Sequence, residues 1–254
     1  MPDQPQHQTP EPVSPSSPTM TFKDLGIFLF KYVLALMVAG TLTGLAIPMM
    51  TGALRAHRIL VLTAYETVIA PLLLLTLLLT SKRIHRPRVW VWRELRSPLA
   101  PLVVAAGIGL VVVAWLGILL SEPLTGLTSF KYMFKLIMET GPMDFSWTPL
   151  MVTVIGTGLL VPIAEEWALR GVIQRLLVQR WGAFAGVAVT SLLFVFLHGW
   201  DVVTLPAIGT LAVALGLLGY RRKSLTYCIL LHVAFNLATV FPQTWRTLVY
   251  LKVL

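Results

Sequence analysis

Charge is scarce in this sequence. Asp, Glu, Lys and Arg make up 12% of 254 residues, about half the share in a soluble domain. Joined to 56% hydrophobic residues, the deficit excludes an ordinary water-soluble globule. Cysteine is almost absent: the single Cys228 rules out an intrachain disulfide framework and, inside an apolar run, reads as a small packed hydrophobe. Acidic residues number 11 against 20 Lys and Arg, yet no basic patch is interleaved with aromatics as a nucleic-acid surface requires, so nucleic acid is not an expected partner. No internal repeat is evident. Large apolar residues are nearly missing from residues 1–20, whose Pro, Ser and Gln content reads as a disordered tail. A cleavable signal is not expected, because the first apolar run starts after residue 24 and continues to spanning length.

Long apolar runs dominate what is present, near 25–47, 59–80, 99–120, 149–178, 183–200, 202–219 and 224–241. A span needs about 20 residues. The expected fold is therefore an all-α polytopic transmembrane bundle of seven helices, with a weak eighth candidate near 243–254. Residues 21–120 hold the first helices, with Glu66 facing a helical neighbour and Pro71 kinking its run. Residues 121–148 form a linker whose Phe130, Tyr132 and Phe134, set among Lys131 and Lys135, read as a short interfacial helix. A core at 149–241 and a C-terminal tail at 242–254 complete the chain. The basic loop 81–96, with Lys82, Arg83, Arg86, Arg88, Arg93 and Arg96, is expected in the cytoplasm, as is the amino terminus. The excess of positive charge suits anionic lipid headgroups.

Against this apolar background, Glu165 and Glu166 follow sixteen uncharged residues and lead into Arg170. His198 closes one later apolar run, and His232 and Asn236 lie in another. An ionisable group inside a span costs a few kcal/mol or more, so it turns into the bundle and usually serves a function. Glu166 and Arg170 stand i and i+4, the spacing of a charge pair that keeps a carboxylate ionised in low dielectric. Glu165 points about 100° away and stays available to a water. With a turn near Trp181-Gly182, Glu165 and His198 each lie sixteen or seventeen residues from it, at matching depth on antiparallel helices. His232 and Asn236 share one helix face within roughly 5–10 Å of that level. Carboxylates and imidazoles gathered from three helices make a water-activating site. Gly216 and Gly219 read as close-packing positions, and Asp201 as a solvated loop residue that can orient His198.

Three motifs in order carry a family resemblance over roughly 145–240: Glu-Glu-x-x-x-Arg at Glu165, Glu166 and Arg170; Phe-x-x-x-His at Phe194 and His198; His-x-x-x-Asn at His232 and Asn236. The chain resembles the CAAX protease and bacteriocin-processing family of intramembrane proteases, also called the Abi family, which includes the CAAX prenyl proteases. Leu169 departs from the Phe that often precedes the arginine, a change of packing rather than chemistry. The resemblance implies that Glu165 acts on the hydrolytic water with His198 beside it. It also implies that His232 and Asn236 hold the water or a metal, or stabilise the oxyanion. Zinc on Glu165, His198 and His232 is one form of the site. A metal-free glutamate mechanism is the other and is slightly favoured, since the helical His-Glu-x-x-His pattern is absent.

The leading expectation is a bacterial inner-membrane endopeptidase acting on a membrane-anchored peptide or protein. Two competitors stand beside it. One is a non-catalytic scaffold or bacteriocin self-immunity protein of the same family. The other is a transporter relaying protons through Glu66, Glu165 and the histidines.

Overall fold

The computed structural model describes residues 21–49, 64–80, 92–125, 147–198 and 205–250. Among them every regular element is helical. Helix α1 is Phe22–Met49. Helix α2 covers 65–80, a wide i→i+5 turn at Tyr65–Ile69 running into Ala70–Thr80. A single turn, α3 (Trp92–Leu95), precedes α4 (Leu99–Thr125). Helix α5 covers 147–181 and α6 covers 183–197. Helices α7 (Leu205–Arg222) and α8 (Leu225–Tyr250) complete the bundle. The N-terminal tail, the basic loop up to residue 91, the expected interfacial helix, Asp201 and the Glu66 side chain lie outside the described residues.

Local chemistry sets the boundaries. Thr21 caps α1, its Oγ1 accepting from the Asp24 N–H at 3.2 Å while Asp24 Oδ2 accepts from the Thr21 N–H at 3.1 Å. Gly182, at φ 83° and ψ 171°, separates α5 from α6, a conformation essentially restricted to glycine. Here the expected turn near Trp181-Gly182 is found. A Cβ at Gly186 would come within 2.6 Å of the Val178 nitrogen, so only glycine lets the two arms close up. Lys223, at φ 51°, ends α7, its N–H donating to the Gly219 carbonyl at 3.0 Å. Ser224 then caps α8 through the Tyr227 N–H at 3.3 Å, and its hydroxyl donates to Glu94 at 2.6 Å. With Tyr227 bonded to Ser97 at 3.0 Å, the starts of α4 and α8 and the end of α7 share one level.

Two stretches are long and apolar enough to cross a membrane, Val152–Leu197 and Leu225–Pro242. Gly182 divides the first into two arms. Thr67–Thr80 and Leu99–Ala114 are apolar but shorter, so helix length alone does not establish seven spans. The tail expected from 242, and with it the separate eighth candidate, is corrected up to residue 250. Helix α8 continues unbroken through Pro242 to Tyr250, since no glycine interrupts 225–250.

Polarity is inverted relative to a soluble protein. Large apolar side chains such as Phe30, Met37, Leu102, Phe184 and Leu192 face outward, while Glu166, Arg170, Gln174, Thr190, Ser191 and His232 are buried. That is the arrangement expected of helices facing acyl chains. Helix α8 lies against α4 and α5 at the centre. Gly107 makes this approach fit: a Cβ there would stand 2.5 Å from the Leu231 carbonyl oxygen and 2.8 Å from Ala234 Cβ.

Candidate active site

The two glutamates sit at the end of a short α-helical piece, Val161–Glu166, flanked by wide-turn segments Val152–Leu160 and Trp167–Ile173. Such i→i+5 segments are rare and concentrate at functional sites. Their register is written in the bonds: Val161 N–H donates to the Gly156 carbonyl, five residues back. The next bond in that register would join Pro162 to Thr157, but proline has no N–H to give. Asn236 fills the vacancy, its Nδ2 donating to the Thr157 carbonyl at 2.9 Å. This role of Asn236 was not anticipated from the sequence, although Pro162 was its signal. The amide keeps a second N–H and its oxygen for other partners.

Glu166 is wholly buried and held on two sides. Arg170 Nη1 donates to its Oε1 at 2.8 Å, and His232 Nδ1 meets the same oxygen at 2.9 Å. Arg170 also donates to the Ala212 carbonyl at 3.2 Å, tying α5 to α7. The expected i, i+4 pairing of Glu166 with Arg170 is thus present.

Glu165 turns the other way. Its Oε2 lies 3.7 Å from His198 Nε2 and 3.9 Å from His232 Nε2, and that oxygen has no hydrogen-bond partner. Side-chain exposure separates the two layers: 28% for Glu165 and 27% for His198, against 0% for Glu166 and 1% for His232. The first pair can be reached and the second cannot.

Phe194 joins the layers. It stacks on His198 at 4.2 Å and 23°, meets His232 edge-on at 5.4 Å, and lies 4.7 Å beneath the Arg170 guanidinium. Its own carbonyl faces His198 Nδ1 at 2.8 Å. A carbonyl only accepts, so the proton of neutral His198 sits on Nδ1 and Nε2 carries a lone pair. The Glu166 carboxylate fixes His232 in the same tautomer.

Glu165, His198 and His232 therefore converge as expected, and Asn236 lies one turn further along α8, engaged with Thr157. Tyr32 of α1, unremarked in the sequence, lies within electrostatic range of Glu165 and of Tyr65. A polar residue in mid-run was the available signal. Glu165 Oε2 stands 3.7 and 3.9 Å from the two imidazole nitrogens, against roughly 3.4 Å between tetrahedral donors at about 2.0–2.1 Å from one zinc, so these side chains would have to draw together to share an ion. Among the described residues no group of three His, Cys, Asp or Glu is arranged to hold an ion.

Residues 146–238 match the family described as type II CAAX prenyl endopeptidase, Rce1-like, a family of proteases. The match spans the seven residues of the three motifs and agrees with the resemblance they carry. No curated protein and no solved structure matches the chain.

Proposed function

We propose that this chain is an intramembrane endopeptidase in which Glu165 and His198 activate a water against a peptide carbonyl. One observation carries the reading: Glu165 Oε2 and His198 Nε2, both hydrogen-bond acceptors, face each other at 3.7 Å. Two acceptors do not bond to each other. A water donating one proton to each, at about 2.8 Å, satisfies both and keeps a lone pair for attack.

Hydrolysis then follows from these residues alone. The water oxygen adds to the carbonyl carbon as its proton passes to Glu165, giving a tetrahedral oxyanion. Charge on that oxygen needs a donor. His232 Nε2, 3.9 Å from Glu165 Oε2, carries a lone pair in the tautomer that Glu166 fixes, so that donor comes from elsewhere. We assign that role to the second N–H of Asn236, one turn beyond His232 on α8, whose first N–H is held by the Thr157 carbonyl. The carbon–nitrogen bond breaks as Glu165 returns its proton to the leaving amine, releasing a new carboxylate and a new amino terminus. Glu166, Arg170 and Phe194 hold the two imidazoles in place.

A membrane-anchored peptide or protein is the substrate that suits a partly exposed site on lipid-facing helices. The bundle crosses the bilayer seven times, with its basic end in the cytoplasm of a bacterial inner membrane.

The test is cleavage of membrane-anchored peptide libraries by purified protein in liposomes. Glu165→Gln and His198→Ala should each lower turnover by at least ~10³-fold with unchanged accumulation in the membrane. Undiminished biological function of both variants, without any peptide product, would instead identify a scaffold.

A further inference from the structure

A cavity of about 440 Å³ opens between the basic ends of α5 and α7. Of the residues around Glu165 it shares only Arg170. Arg175 and Lys223 border it together with Gln174, Gln179 and Ser224. Neither Arg175 nor Lys223 has a carboxylate partner among the described residues. Glu94, the acid that reaches this region, is engaged by the Ser224 hydroxyl at 2.6 Å.

Two residues that line the cavity also carry buried polar atoms with nothing to bond. Arg170 keeps its buried Nε–H without an acceptor. Gln174, which donates to the Gly216 carbonyl at 2.9 Å, keeps its buried Oε1 without a donor. Two uncommitted cations and a spare N–H call for an anion with several acceptor oxygens. An unsatisfied amide oxygen calls for a hydroxyl beside that anion. Val178 and Leu225 supply apolar wall, and Arg180, Arg221 and Arg222 lie toward the same end of the bundle.

We infer that this cavity binds an anionic phosphate ester bearing a hydroxyl group, supplied as a glycerophospholipid headgroup or as a free ester. Arg175 and Lys223 take the phosphate and Gln174 accepts from the hydroxyl. Anionic lipid concentrates at a basic membrane face, which favours occupancy there. The site stands independently of proteolysis.

The experiment is thermal unfolding of the full-length protein in non-ionic detergent, with three additives: short-chain phosphatidylglycerol, short-chain phosphatidylcholine and glycerol phosphate. Ligand that binds the folded state raises the unfolding temperature with concentration. The wild type should respond to phosphatidylglycerol and not to the zwitterionic phosphatidylcholine. Arg175→Gln and Lys223→Asn should each weaken that response, and the double variant should bind at least ~10-fold more weakly. Lys223 is exposed, and asparagine tolerates its left-handed backbone, so Lys223→Asn keeps the test valid if Arg175→Gln fails to fold. A response to glycerol phosphate as well identifies the free ester as a source, and a response to phosphatidylglycerol alone identifies the lipid. Equal response to phosphatidylcholine, an unaltered response in Lys223→Asn, or none in the wild type overturns the assignment.

Discussion

Glu165 and Glu166 are neighbours in the chain with opposite surroundings. Glu166 shares one oxygen between Arg170 and His232, and removing Arg170 leaves an uncompensated buried charge. Arg170→Ala should therefore cost roughly 3–5 kcal/mol, read as lowered stability in detergent. The double replacement Glu166→Gln, Arg170→Met should recover part of that loss, because it strands no charge. A single variant as stable as the wild type would contradict the pairing. This much was legible beforehand, since i, i+4 spacing places Glu166 and Arg170 on one face and turns Glu165 away. The Asn236 bond was not legible. It depends on a carbonyl orphaned by a change of helical register, and residue spacing gives the face of a helix without its hydrogen-bond register.

At the scale of elements, that orphaned carbonyl makes Pro162 and Asn236 energetically coupled. Asn236→Ala leaves the Thr157 carbonyl unpaired and should cost about 1–3 kcal/mol. Pro162→Ala restores an N–H that can bond to Thr157, so Asn236→Ala should cost less in that background. A double-mutant cycle on unfolding free energies measures the difference, and strict additivity would contradict the account. Close helix packing makes a further prediction. Gly107→Val places a branched side chain where even a Cβ would stand 2.5 Å from the Leu231 carbonyl oxygen, so α4 and α8 must separate. Its unfolding temperature should fall well below that of Gly109→Val, because Gly109 faces open space. The sequence held the break at Gly182 and the depth match of Glu165 with His198, because both follow from counting residues. It did not hold the continuation of α8 past Pro242, where a proline reads as a stop in sequence yet lies within one helix in the fold.

For the whole molecule, what counts is which way each polarity faces. Apolar side chains line the outside, ionisable groups meet near the centre, and basic residues collect at one end where α3, α5, α7 and α8 meet. The proposed orientation puts that end in the cytoplasm. In a Cys228→Ala background, Arg222→Cys should react with a membrane-impermeant maleimide in inverted vesicles and not in intact cells. The reverse pattern would invert the topology. Wild-type Cys228, wholly buried with its thiol against the Ser224 carbonyl at 3.4 Å, should stay unlabelled from either side until the protein unfolds.

The proteolytic reading concerns a single oxygen atom, that of the attacking water. A single-turnover cleavage in ¹⁸O-water, followed by mass spectrometry of the fragments and of the protein, traces it. Attack by a water held between Glu165 and His198 puts one ¹⁸O into the new carboxylate in the first turnover, leaves the Glu165 side chain unlabelled, and vanishes in Glu165→Gln. An unlabelled first product with label appearing in Glu165, or cleavage that persists in Glu165→Gln, would contradict it.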